Sequence, residues 1–147
     1  MLFRSLIEFP GRDAALAYIN ADPYTKAGIF EAITIERWEP RLHVRQREYP
    51  RKEGTMQFVI HCRDKPDGEA RRAPLEDAHS EYMKAHRGII VARGALLDDS
   101  GAKSIGAVAI LDVAGKAEAE AFWAGAPFNR GGVYEWTTIE RWRFGHV

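Results

Sequence analysis

The spacing of hydrophobic residues in the first 38 positions predicts a strand, a helix and a second strand. Residues 3–9 form a short apolar run, residues 12–20 are rich in alanine with one apolar side, and residues 29–38 alternate between apolar and polar positions. A period of two is typical of a strand, and a period near 3.6 is typical of a helix. The helix should stop at the Asp-Pro pair at 22–23, because the residue before a proline avoids the α conformation.

The pattern of residues 56–147 predicts a complete unit of six elements in the order βαββαβ. The predicted strands are 56–64, 89–97, 105–113 and 132–142, and the predicted helices are 75–87 and 115–125. Two split βαβ units in this order are typical of a ferredoxin-like fold of the α+β class. The helices should cover one face of the sheet, and apolar residues on the other face predict that a partner sheet covers it.

The two parts of the chain are related by an internal repeat. Residues 4–38 align with residues 108–142 without a gap, and the match ends in the identical pentapeptide Thr-Ile-Glu-Arg-Trp. Internal repeats of this kind report the organisation of a chain. We therefore predict a βαβ half-copy at residues 1–38, a linker at 39–55 and the complete domain at 56–147.

The half-copy lacks a strand that its fold requires. The strand order of a ferredoxin-like sheet is 4-1-3-2, so the strands of this βαβ piece would be separated by an empty position. A segment of under about 40 residues also buries too little surface to fold alone. Two copies from two chains could interlock across a homodimer axis, residues 42–47 of the linker could fill the position, or the piece could be a loosely ordered remnant.

Composition and charge favour a cytoplasmic protein that binds neither nucleic acid nor membrane. Lys+Arg and Asp+Glu are balanced at 21 each, so no overall charge attracts nucleic acid or anionic lipid. The basic residues of the linker, Arg41 among them, are interpreted as a solvated connector, because no nucleic-acid-binding module accompanies them. The single cysteine, Cys62, fits a reducing compartment. The apolar start is interrupted by Arg4 and Glu8, which is unlike a signal peptide, and no apolar run is long enough to cross a bilayer.

Four segments of the complete domain resemble the YciI (YCII-related) family. They are Met56-Gln57-Phe58-Val59-Ile60-His61-Cys62, Ala78-His79-Ser80-Glu81-Tyr82-Met83, Gly94-Ala95-Leu96-Leu97-Asp98-Asp99-Ser100-Gly101 and Pro127-Phe128 followed by Gly132-Val133-Tyr134-Glu135. The resemblance implies a ferredoxin-like unit of the dimeric α+β barrel type, and hence a homodimer. It also implies a small-molecule pocket with a His/Asp pair. A few relatives are linked to dehydrochlorination of hydroxylated aromatics, whereas most members have no assigned reaction.

The resemblance places the candidate catalytic residues at His79, Asp98 and Asp99. The family's Asp-Pro-(Tyr/Phe) signature falls on Ala126-Pro127-Phe128, so its aspartate is missing from the complete domain. The equivalent positions of the half-copy, Asp22-Pro23-Tyr24, retain it, which makes Asp22 a further candidate. Tyr82, Pro127 and Phe128 are the candidate ligand-binding residues.

The residue types themselves leave each role open. His79 shares a helical face with Tyr82 and Met83, so it is either a hydrogen-bonded core residue or a base whose neutral form is favoured by burial. A neighbouring aspartate would let it act near neutral pH. Asp98 and Asp99 also suit a turn, because aspartate stabilises tight turns through its own backbone, and Asp22 also suits a helix boundary.

The sequence predicts no metal site and no cofactor. Histidines and the cysteine do not fall at a standard ligand spacing, and the glycines do not form a phosphate-binding loop. Two functions remain. The protein is either a small lyase or isomerase that uses His79 in acid–base chemistry on a small polar or aromatic compound, or a non-catalytic module for ligand binding or oligomerisation.

Overall fold

The computed structural model describes residues 4–44 and 48–143, apart from the side chain of His43. The chain divides into two compact units, Met1–Ile35 and Glu36–Val147. Within the described residues no helix is long and apolar enough to cross a membrane.

The first unit contains two helices, α1 (Arg12–Ala21) and α2 (Pro23–Lys26). The predicted helix and its stop at the Asp-Pro pair are therefore confirmed. The predicted flanking strands are wrong, because residues 4–9 and 29–36 form neither a strand nor a helix, and only the last two residues of the second predicted strand belong to one. Residue 3 lies outside the described residues.

The second unit is a five-stranded antiparallel sheet with helices packed on it. The strands are β1 (Arg37–His43), β2 (Met56–Asp64), β3 (Ile90–Leu97), β4 (Ser104–Val113) and β5 (Tyr134–Trp142). The helices are α3 (Gly68–Arg72), α4 (Glu76–Ala85), α5 (Lys116–Gly125) and α6 (Pro127–Arg130), with short 3-10 turns at Ala73–Leu75 and Arg87–Ile89. The strand order is β1-β3-β4-β2-β5. Without β1 this is the predicted ferredoxin-like order, and the α+β fold is confirmed.

The sheet order explains why the half-copy forms no strands of its own. In the complete domain β4 and β5 do not pair with each other, because both pair with β2, which lies between them. A strand needs a neighbour to accept and donate its backbone hydrogen bonds. The first unit repeats the sequence around β4, α5 and β5 but contains no copy of β2. Similar sequences therefore form strands in one copy and no strand at the described residues 4–9 and 29–36 of the other.

The predicted linker contributes an edge strand to the domain that follows it. β1 pairs antiparallel with β3, from Arg37 opposite Leu97 to His43 opposite Ala92. Pro40 lies inside β1. A proline has no N–H to donate, and it is tolerated at the edge of a sheet because one side of an edge strand has no neighbour that needs a donor. The hypothesis that residues 42–47 fill the gap in the half-copy is therefore wrong for the described residues 42–44. Residues 45–47 lie outside the described part.

One apolar core lies between the sheet and helices α4 and α5. Phe58, Ile60 and Cys62 alternate along β2 toward this core, as the period-two pattern predicted, and Met83 of α4 and Phe122 of α5 cover them. The same alternation continues to Asp64, which places a carboxylate at the end of the buried face. Asp64 is bonded to Arg72, which lines the candidate site.

Candidate functional site

A cavity of about 450 Å³ lies between α4 and the helix-covered face of the sheet. Six of the side chains that line it come from six different elements. They are Arg41, Arg72, His79, Arg93, Phe128 and Tyr134. Ligand-binding cavities of globular proteins have volumes of roughly 300–1,000 Å³, so a single small ring fits this one.

His79 forms part of the cavity wall and is held by Phe128. The histidine is 9% exposed, and its ring stacks on the Phe128 ring with centroids 3.7 Å apart and planes 8° from parallel. The backbone N–H of Phe128 donates to His79 Nδ1 at 3.5 Å. Burial, and then the positive charges of Arg93 and Arg72, lower the pKa of His79 to about 4. His79 is therefore neutral at pH 7, and because Nδ1 is the acceptor, Nε2 carries the proton.

The half-copy shows what His79 replaces. Asp22 precedes α2, and its Oδ1 accepts from the backbone N–H groups of Tyr24 and Thr25 at 2.8 and 3.1 Å. Ala126 precedes α6 with the same backbone, φ −65° and ψ 131° against −60° and 131° at Asp22, but has no side-chain acceptor. The amide of Phe128 is equivalent to that of Tyr24, and it is directed to the imidazole instead. His79 thus caps α6 in the place of the missing aspartate.

A buried ion pair fixes the floor of the cavity. Both nitrogens Nε and Nη2 of Arg72 donate to the Asp64 carboxylate, at 2.9 and 2.8 Å, and the two side chains are 11% and 5% exposed. The Arg72 guanidinium also lies 4.7 Å from the Phe128 ring centroid and 5.7 Å from that of Tyr134. Bidentate pairing gives the guanidinium one orientation. Neither residue was a sequence-based candidate, although the alternation along β2 was a signal for Asp64.

A second arginine of the cavity has no such partner. Arg93 of β3 lies opposite Ala109 of β4 and so belongs to the helix-covered face. It makes no ion pair with any described residue, and burial together with the charge of Arg41 lowers its pKa. The charge of Arg93 is therefore uncompensated within the described chain, unlike that of Arg72.

Tyr134 offers a further buried donor. Its side chain is buried, and its hydroxyl has no hydrogen-bond partner among the described residues. Burial raises its pKa well above the ordinary value, so the hydroxyl keeps its proton. The hydroxyl oxygen has almost no accessible surface, so it lies behind the cavity wall and is not in contact with the space that a ligand would fill.

Asp98, Asp99, Tyr82 and Pro127 do not line this cavity. Asp98 Oδ1 accepts from Ser100 Oγ at 2.7 Å and from the amides of Ala102 and Lys103, which lowers its pKa and stabilises the turn between β3 and β4. Asp99 lies in the same turn, and Asp22 caps α2. Tyr82 donates its hydroxyl hydrogen to the carbonyl of Phe122 at 2.7 Å, and Pro127 begins α6. The structure brings His79 and Phe128 together at the cavity, and the roles of the others stay predictions.

A different histidine has a carboxylate partner. Glu36 Oε2 lies 3.2 Å from His61 Nε2, and its other oxygen pairs with Arg63. Hydrogen bonds from His61 and Arg63 outweigh burial and lower the pKa of Glu36. Because His61 alternates with Cys62 along β2, this cluster lies on the sheet face opposite the cavity. The cluster was not predicted, since nothing in the sequence places Glu36 beside His61.

Comparison with known proteins places the domain. No curated protein matches the chain. Among solved structures, 5-chloro-2-hydroxyhydroquinone dehydrochlorinase of Burkholderia phenoliruptrix, in complex with 2,5-dihydroxybenzoquinone, is similar, with 27% sequence identity and a TM-score of 0.56. The match covers 61% of this chain and 96% of that one. The model of the YCII-related domain matches residues 56–143, which is more than half of the sequence, and the chain belongs to the YCII-related family.

Proposed function

We propose that the protein is a small-molecule enzyme in which His79 acts as a hydrogen-bond donor to a hydroxylated aromatic substrate. The observation that carries this proposal is the neutral imidazole at the cavity wall, with Nδ1 held by the Phe128 amide. The similarity to a dehydrochlorinase supports the substrate class. Lyase or isomerase chemistry on such a ring shifts a proton and places negative charge on a ring oxygen. A fixed N–H directed at that oxygen stabilises the charge as it develops.

An aspartate that assists His79 is a separate part of the proposal. Asp98, Asp99 and Asp22 are the candidates from the sequence, and no described carboxylate lies within hydrogen-bond distance of His79. The donor role of His79 does not require one. Removal of a substrate proton, in contrast, requires a base. Asp98 or Asp99 could supply it only after a rearrangement or from another chain.

Turnover tests the proposal directly. Purified protein is incubated with chlorinated and chlorine-free polyhydroxybenzenes, and chloride release and the ultraviolet spectrum are followed. His79→Gln should lower the rate by about 10²–10³-fold, the usual cost of losing one fixed hydrogen-bond donor to developing negative charge. His86→Gln is the matched control, because His86 lies at the end of the same helix and bonds the carbonyl of Tyr82. Equal rates for His79→Gln and the wild type would refute the role of His79.

A non-catalytic ligand-binding module is the alternative function. The observation that favours it is Ala126, which stands where the family signature has an aspartate and leaves His79 without a carboxylate. Saturable binding of the same compounds, without chloride release or spectral change over hours, would support the module and exclude the enzyme.

We also propose that the protein is a homodimer. The support is the resemblance to dimeric α+β barrels and the first unit, whose sequence specifies strands that need a neighbour equivalent to β2. Light scattering coupled to size exclusion measures the mass. A monomer at micromolar concentration would exclude the interlocked arrangement.

A further inference from the structure

We propose that the cavity selects small aromatic anions, and that Arg41 and Arg93 together with the Nε2–H of His79 form the anion-binding side of the site. The inference rests on the proposed function and names the charge of its substrate. Arg41 lies outside residues 56–143, so the anion site combines the family domain with the strand that precedes it.

Arg93 places an uncompensated positive charge at the cavity wall. Arg93 is partly buried, lies beside a like charge and has no carboxylate partner among the described residues. Arg41 lies 3.6 Å from Glu39, but both side chains are more than half exposed, and such pairs contribute little. Two adjacent guanidinium groups repel each other, and a bound anion would offset that repulsion.

A β-bulge brings Arg41 to the cavity. Pro40 pairs with Gly94 and Leu42 pairs with Arg93, so Arg41 is the extra residue between two successive pairs. Leu42 packs against the apolar core on the helix-covered face, and Arg41 lines the cavity on that same face. Without the bulge, successive residues would face opposite sides of the sheet. Bulges re-aim side chains in this way, often beside functional sites.

The inner wall of the cavity offers hydrogen-bond donors. Arg93 and the Nε2–H of His79 are donors without a partner among the described residues. The carboxylates that line the cavity, Glu76 and Asp77, are exposed in the first turn of α4 and therefore lie at its mouth. A ligand that fills the inner part must supply acceptors, and an anion supplies the strongest ones.

The walls determine the shape of the ligand. Ala95, Ala107 and Ala109 leave the sheet side low, and the ring of Phe128 lies on the helix side. His79 and the Arg72 guanidinium cover the faces of the Phe128 ring, so a ligand meets the edge of that ring and the alanines. A single ring that bears a carboxylate or an ionised hydroxyl matches both the cavity volume and the donors.

Calorimetry with an isosteric pair tests the charge preference. Benzoate and benzamide have nearly the same size and differ in charge at pH 7, and inorganic phosphate reports binding of any anion. Benzoate should bind about 10–100-fold more tightly than benzamide, the range expected for one hydrogen bond to a charged group. Arg93→Gln should remove that preference. Arg130→Gln is the matched control, because Arg130 is exposed and does not line the cavity, and its substitution removes the same charge.

Two further measurements separate a binding role from a structural one. Thermal unfolding of ligand-free Arg93→Gln should occur at the same or a higher temperature than that of the wild type, because the substitution removes a partly buried charge beside another. Arg41→Gln should weaken benzoate binding at low salt and have little effect at 0.5 M, because the charge of an exposed side chain is screened.

Each outcome decides the proposal. Equal affinities for benzoate and benzamide, an unchanged preference in Arg93→Gln, or phosphate binding as tightly as benzoate would overturn it. Loss of binding together with a lower unfolding temperature in Arg93→Gln would also overturn it, because the arginine would then be structural. Benzoate binding without turnover of any polyhydroxybenzene would refute the proposed enzyme and leave the anion site in place.

Discussion

Replacing Ala126 with aspartate should change His79 from a hydrogen-bond donor into a base. Ala126 has the backbone conformation of Asp22, so the new carboxylate should accept from the Phe128 amide as Asp22 accepts from that of Tyr24. The imidazole would then lose its present donor and gain a neighbouring negative charge. Its Nδ1 should become protonated and donate to the carboxylate, which leaves the Nε2 lone pair free to take a proton from a substrate.

The structure sets the size of the effect on the proton affinity of His79. The capping oxygen lies 2.8 Å from the amide nitrogen in the half-copy, and that nitrogen lies 3.5 Å from Nδ1 in the domain, so the carboxylate oxygen comes within at most about 6.3 Å, the sum of the two distances. At an effective dielectric constant near 20, the interaction of two unit charges at that distance is about 2.6 kcal/mol. This corresponds to about an 80-fold larger proton-binding constant for His79.

Nuclear magnetic resonance provides the assay. The imidazole signals of His79 are assigned with His79→Gln and titrated in the wild type, Ala126→Asp and Ala126→Asn. The asparagine variant is the matched control, because its side chain caps the helix without a charge. Ala126→Asp should titrate at clearly higher pH than both others, and its nitrogen shifts should report the Nδ1–H tautomer. A folded Ala126→Asp variant whose His79 titrates as in the wild type would refute the assigned geometry.

The other predictions concern stability and reactivity. Folding lowers the pKa of His79 to about 4, so between pH 4 and about 6.5 the unfolded chain binds a proton that the folded chain does not. The free energy of unfolding should therefore fall by up to roughly 3 kcal/mol as pH decreases through that window. In urea unfolding, His79→Gln should show a weaker dependence of this free energy on pH. Asp64→Asn leaves Arg72 as a buried, unpaired charge and should cost about 3–5 kcal/mol in urea unfolding, whereas the apolar double variant Asp64→Leu/Arg72→Met should cost much less; an equal loss in both would contradict this account. Cys62 is buried and its thiol pKa is raised by burial to about 12, so a thiol reagent at pH 8 should label it only in urea, and rapid labelling of the folded protein would show that the core opens.

The hydrophobic pattern predicted the four strands and the two longer helices of residues 56–142 but not α3 and α6, and it failed for the strands of the half-copy for a physical reason. Periodicity reports which face of a segment is apolar, and in the domain every strand finds a neighbour. The same pattern at residues 29–38 specifies a strand only if a strand equivalent to β2 is present. Pairing is a property of the whole sheet, so no local signal could have shown its absence.

The candidate site was predicted in part. His79 and Phe128 followed from helix periodicity and the family resemblance, and they do meet at the cavity. Arg41 was interpreted as part of a solvated connector, because the bulge that redirects it depends on the register with β3. Arg93 and Tyr134 were not singled out, since they approach the histidine from distant parts of the chain. The contrast between Asp22 and Ala126 was visible in the sequence, whereas the histidine that compensates for the lost aspartate was not.

The additional edge strand has a consequence for any fragment cut at the family boundary. A protein that starts at Met56 would leave one side of Ile90–Leu97 without hydrogen-bond partners, and a bare row of amides and carbonyls invites neighbouring molecules to add to the sheet. The proline and the irregular pairing of Arg37–His43 are the features with which natural sheets discourage such growth. In this protein the strand upstream of the family domain occupies that edge of the sheet.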